Sequence, residues 1–210
     1  MQEKLLTTLR DYRVVPVLVI EDVASAVPLA KALLAGGLPV LEITLRSPAA
    51  LDCIRAIMSE VPKAIVGAGT ILTPAQFEQC EKLGCAFAVS PGSTLSLIDC
   101  ARDARMPWLP GAASASEVMT LLEKGFRLQK FFPAEALGGS NYLASLASPL
   151  GEALFCATGG ITPALATSYL KLPNVIAVGG SWMASSRMIA AGDWKSITRL
   201  SAEASALNAQ

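Results

Sequence analysis

An α/β fold of the closed (β/α)8 type, the TIM barrel, is predicted by three features of this 210-residue chain. Eight short β-type runs alternate with helical patterns along its length, which implies a parallel sheet. The count of eight, at a length near the small end of the known range, favours a closed barrel over an open doubly wound sheet. The glycine fingerprint of dinucleotide-binding sheets is also missing. Gly67-Ala-Gly69 is followed by Thr70, Ile71 and Leu72, so its third glycine is absent, and no Walker A sequence occurs. No linker, low-complexity stretch or long repeat interrupts the chain, so residues 1–210 read as one barrel domain.

The first segment, residues 4–10, reads as a short extra helix closing the bottom of the barrel. Strands are expected at 14–20, 40–45, 64–68, 86–89, 108–109, 128–132, 153–157 and 175–178. The first crossover helix, about 23–34, contains Pro28, which lacks a backbone donor and should kink or restart it. Ser47-Pro48, Thr73-Pro74 and Thr162-Pro163 each place a capping hydroxyl before a proline at the first helical position. Leu51, Ile54, Ile57 and Met58 then recur at helical spacing. Gly84 and Gly125 stand where left-handed helix ends belong. Ser114 with Glu117 forms a capping box ahead of Val118, Leu121 and Leu122. A last helix from about Asp193 carries Ile197, Leu200 and Ala204 on one face.

Composition removes several function classes. Apolar residues make up 52% and charged residues only 16%, with 17 basic against 17 acidic side chains. The isoelectric point is about 6.3. That balance argues against a nucleic-acid surface or a polybasic membrane surface. No apolar run reaches the length of a membrane span, and the N-terminus lacks the apolar core of a signal peptide, so a cytoplasmic location is expected. Five scattered cysteines, at 53, 80, 85, 100 and 156, form no CxxC pair and read as reduced, buried thiols. Histidine is absent, which excludes Ser-His and Cys-His nucleophile pairs and HExxH zinc sites. With acids scattered and no imidazole, no metal is expected.

Chemistry must therefore come from carboxylates, lysines and hydroxyls. Lys130 is the lysine that stands inside a strand, between Leu128 and Phe132. Removing a lysine from water disfavours its ammonium form, and the neutral amine attacks carbonyls to form a Schiff base. The plainer reading is an edge-strand lysine whose stem packs while its head reaches water. In the run from Val40 to Arg46, alternation puts Leu41, Ile43 and Leu45 toward the helices. It leaves Val40, Glu42, Thr44 and Arg46 facing the lumen. A buried carboxylate and guanidinium are costly unless paired or used. Glu42 could pair with Arg46 or Lys130 to satisfy burial alone, or serve as the proton carrier that the lack of histidine demands. Arg46 offers a fork for a carboxylate.

Alternation around Lys130 also turns Arg127 and Gln129 toward the helices, an awkward place for both. Thr70 and Thr158 end the third and seventh strands, and Ser90-Pro91-Gly92 follows the fourth. Gly159-Gly160 and Gly179-Gly180-Ser181 follow the last two strands, where barrels commonly hold phosphate. Such glycine pairs let backbone N–H groups approach an anion, although each alone also suits a tight turn. Glu135, after Pro133, reads more easily as loop or cap chemistry than as a catalyst, and Trp182 as packing.

Six segments together resemble one family. They are Leu41-Glu-Ile-Thr-Leu-Arg46, Val66-Gly-Ala-Gly-Thr70, Ser90-Pro-Gly92, Lys130-Phe-Phe-Pro-Ala-Glu135, Thr158-Gly-Gly-Ile161 and Gly179-Gly-Ser-Trp182. In order and spacing the chain resembles the bacterial 2-keto-3-deoxy-6-phosphogluconate (KDPG) and 4-hydroxy-2-oxoglutarate (KHG) aldolases over nearly its whole length. The resemblance implies a class I aldolase on a (β/α)8 barrel, a homotrimer with no cofactor and no metal. It implies cleavage of KDPG to pyruvate and glyceraldehyde 3-phosphate, the sugar-acid step of the Entner-Doudoroff pathway, and of KHG to pyruvate and glyoxylate. It assigns the Schiff base to Lys130 and proton transfer to Glu42. Arg46, Thr70 and Thr158 would hold the pyruvate half, with Pro91 and Phe132 walling the pocket. Gly159, Gly160, Gly179, Gly180 and Ser181 would line the phosphate site. A phosphosugar isomerase using Glu42 without an imine, or a binding barrel that keeps the phosphate site, are the rival readings.

Overall fold

The computed structural model describes residues 2–209. Its strands are β1 (Val14–Leu18), β2 (Val40–Thr44), β3 (Ile65–Gly69), β4 (Phe87–Val89), β5 (Trp108–Leu109), β6 (Gly111–Ala112), β7 (Leu128–Phe131), β8 (Leu154–Thr158) and β9 (Val175–Gly180). The helices are α1 (Gln2–Asp11), α2 (Val23–Ala35), α3 (Ala50–Glu60), α4 (Pro74–Leu83) and α5 (Leu95–Arg102). They continue with α6 (Ala115–Glu123), α7 (Gly139–Leu146), α8 (Pro163–Leu170), α9 (Ser186–Ala190) and α10 (Trp194–Ser205). All strand pairs are parallel, in the order β5-β4-β3-β2-β1-β9-β8-β7-β6.

The fifth strand stands where it is expected, at Trp108–Leu109, and an unexpected second piece, Gly111–Ala112, follows it. Pro110 has no N–H to donate, so the ladder breaks there. β5 pairs with β4, and β6 pairs with β7, which makes the two pieces one stave of the TIM barrel. The free carbonyl of Pro110 accepts from the Lys130 N–H at 2.7 Å. Below that bond a side chain bridges the seam. The Gln2 amide donates to the carbonyls of Trp108 (2.9 Å) and Leu128 (2.7 Å), and its oxygen accepts from the Leu128 N–H at 3.0 Å.

The core has two layers, one on each face of the sheet. Inside the barrel, Leu5, Leu6 and Leu9 of α1 pack with Val15, Val40, Phe87, Val89, Leu109, Leu128 and Cys156. The expected bottom helix therefore plugs the lumen. Full burial stabilises each leucine by about 1.5–3 kcal/mol. Outside, Leu41, Ile43, Ile54, Phe77, Phe131 and Phe155 belong to the larger layer between strands and helices. The alternation read from residues 40–44 is the observed one, with Val40 inward and Leu41 and Ile43 outward.

The helix starts follow the caps, with one exception. Thr73 and Thr162 accept from the N–H groups of Gln76 and Leu165. Ser114 and Glu117 cap each other reciprocally. Gly84 and Gly125 have φ values of 89° and 84°. Ser47 does not cap α3, whose N-cap is Ala49. Its hydroxyl instead donates to the Ile20 carbonyl at 2.6 Å, because the chain after β2 runs back over the end of β1. Pro28 does not break α2, which continues from Val23 to Ala35. The bond lost at Pro28 lies in the second turn, and Ala26, Leu29, Ala30 and Leu33 on the same helix are buried. Gln129 faces the helices as its spacing implies. Its amide nitrogen donates to the carbonyls of Phe126 (2.9 Å) and Val118 (3.2 Å), which satisfies that half of the buried side chain, while its oxygen has no partner. Arg127 lies at the strand entrance, donating to the Glu152 carbonyl at 3.4 Å.

Candidate active site

Above the apolar plug, β2 and β7 each send one charged side chain into the lumen. Lys130 Nζ stands 3.1 Å from Glu42 Oε1, with the two side chains 7% and 4% exposed. A pair this deep has lost most of its hydration, and its attraction seldom outweighs that loss by much. The lysine head also lies 5.3 Å from the Phe132 ring centroid, a cation–π distance. Of the two structural partners open to Glu42, Lys130 is therefore the one it takes, and Arg46 makes another contact. Arg46 is exposed at the top of β2, and its Nε donates to the Thr44 hydroxyl at 3.2 Å. That hydroxyl in turn donates to the Leu18 carbonyl at 2.9 Å.

The neighbouring strand makes room for the carboxylate. A Cβ on Gly69 of β3 would lie 2.3 Å from Glu42 Oε1, so no larger residue fits beside it in this geometry. Thr70 follows at φ 58°, a left-handed backbone unusual for a β-branched residue. Such conformations cost about 1–3 kcal/mol and collect at functional sites. Cys156 of β8 is opposite Lys130 in register. Burial first, and the Glu42 carboxylate second, push its thiol up to about 12, so it stays protonated near neutral pH. In that state the thiol is a poor nucleophile.

Thr158, at the end of β8, is 6% exposed, and its hydroxyl has no hydrogen-bond partner. A buried polar group left open in this way is suited to a ligand. The register sets Thr158 beside Gly179 of β9 and so brings the two glycine segments together. A Cβ on Gly179 would lie 2.5 Å from the Thr158 hydroxyl. One on Gly180 would enter the Trp182 ring, so close packing requires glycine at both positions. Gly159 and Gly160 differ, with left-handed φ values of 109° and 78°. Ser181 and Gly160 are exposed at the rim, while Pro91 and Phe132 are half-buried beside the mouth. Ser90 supports this wall from below, its hydroxyl accepting from the Trp108 indole at 3.1 Å and the Gly111 N–H at 3.4 Å.

Glu135 is the residue whose surroundings the sequence did not disclose. Its carboxylate accepts a hydrogen bond from the hydroxyl of Tyr169 in α8. No local pattern links residues 34 positions apart. A surface trough of about 950 Å³ lies at the opposite end of the barrel among Lys4, Glu81, Cys85 and Arg105. None of the lumen groups reaches it, so size alone would misplace the site.

A lysine and a carboxylate paired in a barrel lumen, under a rim of glycines and threonines, invite comparison with known enzymes. The family model "KDPG and KHG aldolase" matches residues 5–200. The chain belongs to this family.

Its relatives include the 2-dehydro-3-deoxy-phosphogluconate aldolase of Pseudoalteromonas atlantica, 50% identical over 91% of this chain and 89% of that protein. The KHG/KDPG aldolase of Escherichia coli is 48% identical over 91% of this chain and 90% of that protein. Among solved structures, KDPG aldolase from Legionella pneumophila superposes with a TM-score of 0.93 at 40% identity, covering 95% of this chain and 97% of its own. That enzyme was captured with pyruvate as a covalent carbinolamine intermediate. The Zymomonas mobilis KDPG aldolase, with 3-phosphoglycerate, gives 0.91 at 47% identity, covering 99% of this chain and 97% of its own.

Proposed function

We propose that this chain is a class I aldolase in which Lys130 carries the substrate as an imine and Glu42 moves the protons. The observation that carries the proposal is the buried Lys130–Glu42 pair, 3.1 Å apart inside the lumen. An ammonium cannot attack a carbonyl, so its proton must leave, and Glu42 is the acceptor at hydrogen-bond distance. The free amine adds to the keto carbon to give a carbinolamine, the species trapped in the Legionella enzyme. Glu42 gives the proton it took to the departing hydroxyl, so that loss of water leaves a protonated imine and a carboxylate free to act again. The C4 hydroxyl then gives its proton to Glu42, directly or through a water. The C3–C4 bond breaks and its electron pair flows into the iminium, forming an enamine of pyruvate. Protonation at C3 and hydrolysis release pyruvate and restore Lys130.

The substrate is KDPG, cleaved to pyruvate and glyceraldehyde 3-phosphate. KHG, cleaved to pyruvate and glyoxylate, is the second substrate, in keeping with the E. coli relative's name. Arg46 supplies the fork for the pyruvate carboxylate. In this reading Thr70 and Thr158, whose hydroxyl is unpaired, help to hold the same pyruvate half. Pro91 and Phe132 wall the pocket. Gly159, Gly160, Gly179, Gly180 and Ser181 hold the phosphate, whose remote binding energy orients the reacting carbons. We further place the chain in the cytoplasm as a single-domain subunit of a homotrimer. Among the described residues no helix is long and apolar enough to cross a membrane. Leu72 and Leu95, 55% and 69% exposed, are apolar area of the kind an assembly covers.

Borohydride trapping with pyruvate, followed by peptide mass mapping, tests the mechanism. The expected result is a reduced pyruvate adduct on Lys130. Saturating pyruvate without an adduct on the folded protein would remove the imine and promote the isomerase reading.

A further inference from the structure

We propose that Glu135 and Tyr169 form a clasp that positions the Gly159–Gly160 loop for the substrate phosphate. The inference rests on the assignment of that loop to phosphate and goes beyond it by naming what holds the loop in place. Glu135 opens a short 3₁₀ turn, Glu135–Leu137, just past Lys130 and Phe132. Its backbone N–H donates to the Gly159 carbonyl at 3.0 Å, next to a 2.8 Å bond from the Ala134 N–H to the Thr158 carbonyl. Those two bonds extend the β7–β8 pairing beyond both strands, into the loop. The Glu135 carboxylate turns to the Tyr169 hydroxyl.

Tyr169 is fully buried and lies on α8, the helix that begins two residues after Gly160 with its Thr162 cap. Glu135, on the segment that continues the lysine-bearing strand, is thus bonded to the loop through its N–H and to the helix after the loop through its carboxylate. The close fit is visible in the glycines. A Cβ on Gly160 would lie 2.9 Å from Glu135 Cβ, and one on Gly139 would lie 3.1 Å from Glu135 Oε1.

The chemistry of the pair suits a fixed clasp. Burial and the nearby carboxylate push the Tyr169 phenol well above its ordinary range, so it remains a donor throughout the working pH range. A hydrogen bond to an ionised acceptor is about twice as strong as one between neutral groups. A bare carboxylate beside a phosphate site would oppose the anion. The phenol dipole offsets part of that charge. Packing does not require the hydroxyl, since a phenylalanine ring would fill the same space. The hydroxyl finds its use in the bond to Glu135.

The test uses the full-length enzyme with Tyr169→Phe, Glu135→Ala, Glu135→Gln and Ser181→Ala. Two readouts are compared: KM for KDPG, and the pyruvate concentration that half-saturates borohydride trapping, which involves no phosphate. Tyr169→Phe and Glu135→Ala should each raise KM for KDPG about 3- to 10-fold, part of the value of one charged hydrogen bond. The pyruvate half-saturation should stay at the wild-type value. Glu135→Gln, whose amide oxygen still accepts from the phenol, should restore most of the affinity. Equal losses in both readouts, or none in either, would overturn the clasp. Ser181→Ala separates the two levels of the argument. A raised KM for KDPG in Ser181→Ala, without any change in the clasp variants, removes the clasp alone. No effect on KM for KDPG in any variant removes the phosphate assignment, and the clasp with it.

Discussion

The two ends of the barrel are built on opposite terms. At the bottom, Leu5, Leu6 and Leu9 fill the lumen with apolar volume, and Gln2 closes the seam with three hydrogen bonds. At the top, a lysine and a carboxylate share a dry space, a threonine hydroxyl is left unpaired, and Thr70 sits in a left-handed backbone. Each of those top features costs free energy in the resting protein. The bottom compensates for them. Apolar packing and the proposed chemistry therefore fall to different residues a few strand positions apart, often on the same strand. Leu128 and Lys130 of β7 illustrate it, one packed in the plug and one paired above it.

Substitutions at either end can break that division. Lys130→Ala should abolish turnover and pyruvate trapping while circular dichroism still reports a folded barrel. Normal steady-state activity in this variant would end the mechanism. Leu9→Ala should do the reverse. It opens a cavity in the plug, lowers unfolding stability by about 2–5 kcal/mol in a denaturant titration, and leaves kcat unchanged where both proteins are folded. A matched fall in kcat would show that the plug and the site are one mechanical unit. The smallest effect is the sharpest. Thr70→Gly should raise stability by about 1 kcal/mol by relieving the left-handed backbone, and yet lower kcat/KM. A variant both more stable and fully active would mean that the strain at Thr70 serves nothing.

What the sequence displays of this division is whatever has a short period. Alternation in residues 40–46 separates Leu41 and Ile43 from Val40 and Glu42, and the structure keeps that separation. Thr73, Ser114 and Thr162 announce their helices because a cap needs only the next three residues. Lys130 stands out because a strand interior is a poor place for an ammonium group. The rest depends on partners far apart in the chain. Ser47 looks like a cap and instead holds Ile20. Pro110 splits a strand whose pieces are held by different neighbours. Gln129 finds its use at the end of α6, and Glu135 at Tyr169. A one-dimensional pattern cannot show a hydrogen bond that only the closed barrel creates.

The plug also sets an order of events during synthesis. α1 is made ahead of all the strands β1 to β9, yet its socket includes Ile176 and Ala177 of β9, the last of those strands. At ordinary elongation rates of about 5–20 residues per second, the leucines of α1 wait roughly ten to thirty seconds for a complete pocket. During that interval a greasy amphipathic helix is without its partner, an obvious client for a chaperone that works at the nascent chain.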